Sequence, residues 1–102
     1  MKISIDCTNK TAVEIRESIA LHLKFPSYYG HNWDAWYECM RDLSWISSSK
    51  IIVELRNLSI NRKLPDNDYE TLNNFFSIIS ENWNSSVETD MSKKVTFVRV
   101  EA

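Results

Sequence analysis

The sequence predicts an α/β protein with a small parallel sheet packed against helices. Three short segments are rich in β-branched residues, and the intervals between them are long enough for helical crossovers rather than hairpins. Apolar residues recur at helical spacing within those intervals. With 102 residues, 43% of them apolar, the chain can bury one core but not two, so we expect a single domain over residues 1–102.

A strand and a capped helix are expected first. Residues 2–7 alternate apolar and polar side chains, which is typical of a half-buried strand. Thr11 and Glu14 have the spacing of a capping box, which predicts a helix over residues 12–23. The apolar positions assigned to the face of this helix are Val13, Ile15, Ile19, Ala20 and Leu23.

A second amphipathic helix is predicted over residues 33–43, after a turn at residues 26–32. Residues 50–57 then open with consecutive β-branched side chains, which indicates a strand buried on both faces. The apolar face of the helix carries Trp33, Trp36, Met40 and Leu43.

A third helix and a final strand complete the pattern. Asp66 or Asp68 is expected to cap the helix, and residues 94–100 supply the last β-branched run. The helical periodicity is carried by Tyr69, Leu72, Phe75, Phe76, Ile79 and Trp83.

Several kinds of chemistry are excluded by composition. A single glycine rules out the glycine-rich phosphate loops, and His22 and His31 lack metal-ligand spacing, so we expect no cofactor and no metal. Cys7 and Cys39 are expected to be free, buried thiols. A Cys39–His31 nucleophile pair is disfavoured because burial raises the pKa of a thiol. We therefore expect a protein that is not an enzyme.

Asp6 interrupts the apolar run that a signal peptide would need, and no stretch is long enough for a membrane span, so a cytoplasmic protein is expected.

The distribution of charge indicates a basic protein partner. The net charge of −2 and the lack of clustered cations argue against direct nucleic-acid binding. Between Pro65 and Asp90 there is no Lys or Arg, and the acids there are Asp66, Asp68, Glu70, Glu81, Glu88 and Asp90.

Residues 27–40 combine aromatics, carboxylates and the only glycine, as interface anchors often do. Asp34 and Glu38 are one helical turn apart, and the spacing alone fits an ordinary solvated face equally well. Gly30 indicates a positive φ angle, a close backbone approach by a partner, or a plain tight turn. Tyr37, beside Glu38 on the polar side, is better suited to an interface than to a core.

The segment resembles the signature of the barstar family of ribonuclease inhibitors. The resemblance covers about the first 80 residues and implies a two-layer fold with a three-stranded parallel sheet in the order 1-2-3. The residues that carry the pattern are Pro26, Tyr28, Tyr29, Gly30, Asn32, Asp34, Ala35, Glu38 and Cys39.

The resemblance implies an intracellular inhibitor, monomeric when free, of a cationic secreted ribonuclease. In that family the helix carboxylates occupy the place of substrate phosphates, so Asp34 and Glu38 would meet cations of the nuclease. The flanking contacts implied are Tyr28, Gly30, Asn32 and Tyr37. An immunity protein for a different secreted toxin and a regulatory binding module remain alternatives.

The chain also departs from the family pattern. Tyr37 and Glu38 stand where the family commonly has tryptophan and then aspartate. On the third helix Ser77 stands where the best-known inhibitors have an acid, and Glu81 follows one turn later. Whether Ser77 and Glu81 contact the partner is left open, and the departures leave the identity of the target open as well.

Overall fold

The computed structural model describes residues 1–58, 64–84 and 93–101, which hold three strands and three helices in alternation. Every element that the sequence predicts is present. In chain order they are β1 (Lys2–Asp6), α1 (Ala12–His22), α2 (Trp33–Asp42), β2 (Lys50–Arg56), α3 (Asp66–Asn84) and β3 (Lys94–Val100).

The three strands form one parallel sheet in the order β1-β2-β3, with β2 in the centre. The register places Ile3 beside Val53 and Ile51 beside Val95, so the buried side chains of neighbouring strands share one face of the sheet. The predicted fold class and strand order are therefore confirmed.

The central strand is buried on one face only, and the prediction of burial on both faces is wrong. Ile51 and Val53 are fully buried, whereas Ile52 and Glu54 between them are partly exposed. On this outer face the Glu54 carboxylate lies 3.0 Å from the Lys2 ammonium, and a hydrogen bond from Ser4 reaches the same carboxylate. The sheet thus has a polar outer face, and its core lies on the opposite face.

The helix α1 begins with the predicted capping box. The Thr11 hydroxyl accepts a hydrogen bond from the Glu14 amide at 3.2 Å, and the Glu14 carboxylate accepts one from the Thr11 amide at 2.9 Å. Ile15 and Ile19 are fully buried as predicted. Val13, however, is 49% exposed, because it lies one position away from the buried stripe of the helix.

The helix α3 packs on the sheet and on α2. Asp66 and Asp68 do not cap it from outside but lie in its first turn, where their charges favour the positive end of the helix dipole. The carbonyl of Pro65 accepts the bond from the Tyr69 amide at 3.0 Å. The Trp83 indole donates to the Met40 carbonyl at 2.8 Å, which ties α3 to α2. No helix in the described ranges is long and apolar enough to cross a membrane.

Replacing Thr11 with alanine removes the side-chain half of the capping box. We expect Thr11→Ala to lower the free energy of unfolding by about 1 kcal/mol, since an N-cap hydroxyl satisfies an amide that otherwise has no partner. The matched control is Thr71→Ala, within α3, where the hydroxyl only donates back to the Asn67 carbonyl. Urea unfolding of both variants measures the effect, and equal stability of the two would contradict it.

Candidate functional site

The predicted contact residues lie on α2 and on the loop before it. Five of the six are exposed, and Tyr37 is partly buried. The six are Tyr28, Gly30 and Asn32 in the loop, and Asp34, Tyr37 and Glu38 on α2.

Carboxylates line one face of α2. Asp34, Glu38 and Asp42 follow at intervals of four residues, so they lie near one another on the exposed side of the helix. Asp42 was not selected from the sequence as a site residue. The Glu38 carboxylate lies 3.6 Å from the Arg41 guanidinium, and the two side chains are 73% and 44% exposed. Since an exposed pair of this kind contributes little to stability, Glu38 can exchange Arg41 for a cation of a partner with little loss.

Tyr28 extends this face with an aromatic ring. It is 70% exposed and lines a cleft of about 300 Å³ together with Glu38, Cys39 and Asp42. Partial desolvation, followed by the charges of Asp42 and Cys39, raises the pKa of Tyr28, so its hydroxyl stays a neutral donor at physiological pH. We call the exposed side chains of Tyr28, Asp34, Glu38 and Asp42 the acidic surface.

Asn32 has a structural role that the sequence analysis missed. Its side-chain oxygen accepts a hydrogen bond from the Ala35 amide at 2.8 Å, which makes Asn32 the N-cap of α2. Its amide group donates to the Gly30 carbonyl at 3.3 Å. Asn32 therefore fixes the start of α2, and with it the position of Asp34, whether or not a partner touches it.

Gly30 does not adopt a positive φ angle, so that interpretation of the only glycine is wrong. A Cβ atom added there would lie 3.3 Å from the side-chain amide of Asn32, which is tighter than usual packing. The left-handed backbone occurs instead at the next residue, His31, with a φ of 52°. Gly30 thus makes room for the Asn32 cap, while His31 makes the turn.

Tyr37 lies at the border between the acidic surface and the core. Its ring meets Phe75 of α3 edge-on, with the ring centroids 6.2 Å apart, and the Arg41 guanidinium lies 5.1 Å above it. Tyr37 therefore supports α2 from the side and presents only part of its ring to solvent.

Ser77 and Glu81 line a groove between α3 and the sheet, with Phe97 and Arg99 of β3. Other α3 residues contact α2: Phe75 stacks on Trp33 at 4.8 Å, Phe76 lies against Trp36, and Trp83 bonds to the Met40 carbonyl. Of the acids noted between residues 65 and 90, Glu88 and Asp90 lie outside the described residues.

A pair of charged residues on α1, Arg16 and Glu17, holds the loop in place. Arg16 is only 6% exposed, its Nη2 donates to the His31 carbonyl at 3.1 Å, and its guanidinium lies 5.0 Å from the centre of the Trp33 ring. The Glu17 carboxylate accepts hydrogen bonds from Arg16 at 3.2 Å and from the side chains of Tyr29 and His31. The sequence carried one signal of this, since Arg16 occupies a position within the buried stripe of α1.

The arrangement does not support a cysteine nucleophile. Cys39 is 4% exposed, and burial, followed by the charges of Asp42 and Glu38, raises the pKa of its thiol. His31 is bonded to Glu17 and not to Cys39. Within the described part of the chain, no group of three His, Cys, Asp or Glu residues could hold a metal ion.

Comparison with known proteins gives one result. A family model described as Barstar (barnase inhibitor) matches residues 3–99, a range that includes the loop, α2, β2 and all but one terminal residue each of β1 and β3. A search of curated proteins found no match.

Removal of the Glu17 charge should weaken the fold in a pH-dependent way. Burial raises the pKa of Glu17, but the bonds from Tyr29, His31 and Arg16 outweigh it and lower the pKa below the ordinary value of 4.5. The stabilisation is therefore complete above about pH 4.5 and is lost as the pH falls through the lowered pKa. We expect Glu17→Gln to lower the free energy of unfolding by about 2 kcal/mol at neutral pH, with a smaller difference in acid.

Thermal or urea unfolding between neutral and acid pH measures this difference. Glu38→Gln is the matched control, because Glu38 is largely exposed and its only ion pair in the described residues is with Arg41. A constant difference between wild type and Glu17→Gln at all pH values would contradict the role of the charge.

Proposed function

The chain belongs to the barstar (barnase inhibitor) family, and we propose that it blocks the active site of a barnase-type ribonuclease with the acidic surface. Family membership implies an inhibitor of such a ribonuclease, and members of the family are non-enzymatic. The observation that carries the finer proposal is the row of exposed carboxylates on α2, beside an exposed tyrosine.

The charge of α2 suits a ribonuclease active site. Such a site binds phosphodiesters and is therefore cationic, so carboxylates can take the place of phosphates and form charge-assisted hydrogen bonds with Arg, Lys or His side chains. The ten residues of α2 carry three carboxylates and one guanidinium, that of Arg41. Their net charge is therefore −2. Asp34 has no ion pair in the described part of the chain, so its charge is available to a partner.

The aromatic residues supply contact area next to these charges. Tyr28 is a large, rigid side chain that the core does not use, and tyrosine is common among the residues that dominate protein interfaces. The cleft beside Tyr28 ends at Glu38 and Asp42, so a basic side chain that enters it meets two carboxylates. Tyr37, Gly30 and Asn32 complete the proposed contact at the edges.

The surface is preorganised, which favours tight binding. Asn32 caps α2, and Arg16 and Glu17 hold the preceding loop, so the carboxylates need little reordering when a partner arrives. Binding energy is then not spent on fixing a mobile loop. The proposed active-site block thus combines charge, an aromatic contact and a rigid support.

Replacing the carboxylates of Asp34 and Glu38 should weaken inhibition strongly without unfolding the protein. We expect Asp34→Asn with Glu38→Gln to weaken binding about 100-fold or more, since two charge-assisted hydrogen bonds are lost. The measurement is RNA cleavage by several barnase-type ribonucleases with increasing inhibitor. The control, Asp66→Asn with Glu70→Gln, removes an exposed pair of the same spacing from α3 and should inhibit like wild type.

Either of two outcomes would count against the proposal. Full inhibition by the α2 double variant would show that the surface is wrong. If the wild-type protein inhibits no ribonuclease, the target would instead be another secreted toxin. Capture experiments with the protein as bait would then be used to identify that toxin.

The association rate should fall as salt rises. Exposed charges are screened over about 8 Å at physiological ionic strength, so steering of the acidic surface towards a cationic site weakens with added salt. Stopped-flow association at several salt concentrations measures the slope. We expect a shallower slope for the α2 double variant than for the α3 control, and identical slopes would argue against steering by α2.

A further inference from the structure

A second cleft lies on the other side of the loop, between α1 and residues 24–32. Its volume is about 400 Å³. One wall is apolar, and one end carries polar groups. The lining that matters here consists of Glu17, Leu21, Phe25, Pro26, Tyr29 and His31.

The apolar wall is left open by the fold. Leu21 is 76% exposed, the most exposed of the large apolar side chains that the structure describes. Phe25 is only partly buried and packs on Tyr29 and Trp45, with ring centroids 5.0 and 5.7 Å apart. The exposed Leu21 and the aromatic wall of the cleft together form an apolar surface. The methylene groups of a long side chain can pack on such a surface.

The polar end is formed by the ring of His31. Its left-handed backbone, with a φ of 52°, is held by the Arg16 guanidinium, which donates to its carbonyl. The ring packs on Tyr29, with the centroids 4.5 Å apart, and Nδ1 bonds to the Glu17 carboxylate. A carboxylate only accepts hydrogen bonds, so Nδ1 carries the proton of the neutral ring, and Nε2 is left as an acceptor. Nε2 has no bonded partner among the described residues.

We propose that this cleft binds a lysine or arginine side chain of the ribonuclease, and that His31 is a recognition residue for it. The inference rests on the proposed function, because it takes the basic partner from there. The stem of the bound side chain packs on Leu21 and Phe25, and its head group donates to Nε2 of His31. His31 lies between Gly30 and Asn32, which are edge residues of the contact proposed above. The second cleft therefore adjoins that contact.

Glu17 acts here as a positioning residue. Its carboxylate fixes both the orientation of the His31 ring and the nitrogen that carries the proton. The titratable side chains that contact His31 in the described part of the chain are Arg16 and Glu17 from α1 and Tyr29 from the loop.

Affinity for the inhibited ribonuclease tests the proposal. We expect His31→Asn to bind about tenfold more weakly than wild type, because the head group loses the Nε2 acceptor. Asparagine suits position 31 because it tolerates the left-handed backbone. His22→Asn, which changes the other histidine, should bind like wild type.

A second pair of variants tests the apolar wall. Leu21→Lys places a cation in the cleft and should weaken binding, whereas Val13→Lys, an exposed position on α1 that does not line the cleft, should not. Equal affinity of wild type and His31→Asn, or equal binding by the two lysine variants, would overturn the proposal. Loss of inhibition in the α2 double variant would show in the same assay that the proposed function still holds.

The cleft is also testable without a ribonuclease. N-acetyl-arginine amide titrated into the free protein should shift the NMR signals of Leu21, Phe25 and His31, and His31→Asn should abolish the shifts. If wild type inhibits no ribonuclease, the proposed function fails, and these shifts alone decide the cleft. An unshifted spectrum, or equal shifts with an apolar leucine amide probe, would overturn the assignment to a basic side chain.

Discussion

The position of α2 depends on one carboxylate, that of Glu17. Glu17 accepts hydrogen bonds from Tyr29, His31 and Arg16, and these tie the loop before α2 to the buried face of α1. These bonds offset part of the backbone entropy, about 1–2 kcal/mol per residue, that ordering the loop costs. Burial of Arg16 is tolerated because its guanidinium is paired with Glu17, bonded to the His31 carbonyl and stacked on Trp33. The direction of α2, and so of its carboxylates, depends on this cluster.

Most of the fold could be predicted because its signals are local. Period-two alternation and helical periodicity are properties of neighbouring residues, and the Thr11–Glu14 capping box is complete within four residues. The burial of β2 could not be predicted in the same way, because an apolar run does not say how many faces of the sheet the helices cover. Ile52 is partly exposed because Glu54 and Lys2 share its face of the sheet, opposite the core.

The placement of the proposed contact residues could be predicted in part, for the same physical reason. The positions of Asp34 and Glu38 follow from helix geometry, and the same spacing continued by one turn would have included Asp42. The support could not be found from the sequence, since Glu17 and His31 are 14 residues apart and meet only through the tertiary fold. The only glycine drew attention to position 30, although the strained backbone belongs to His31. Composition identifies residue types that allow a conformation, and not the residue that adopts it.

The residues that stabilise this arrangement are not the carboxylates of the proposed contact surface. Arg16 and Glu17 are buried or half-buried and hold the scaffold, whereas Asp34 and Glu38 are exposed and contribute little to it. An exposed carboxylate on α2 can therefore change in length without loss of folding. A longer side chain at this position carries the same charge further from the helix axis. Under the proposed function, the choice of partner would depend on the reach of a few side chains, while the helix that carries them keeps its place.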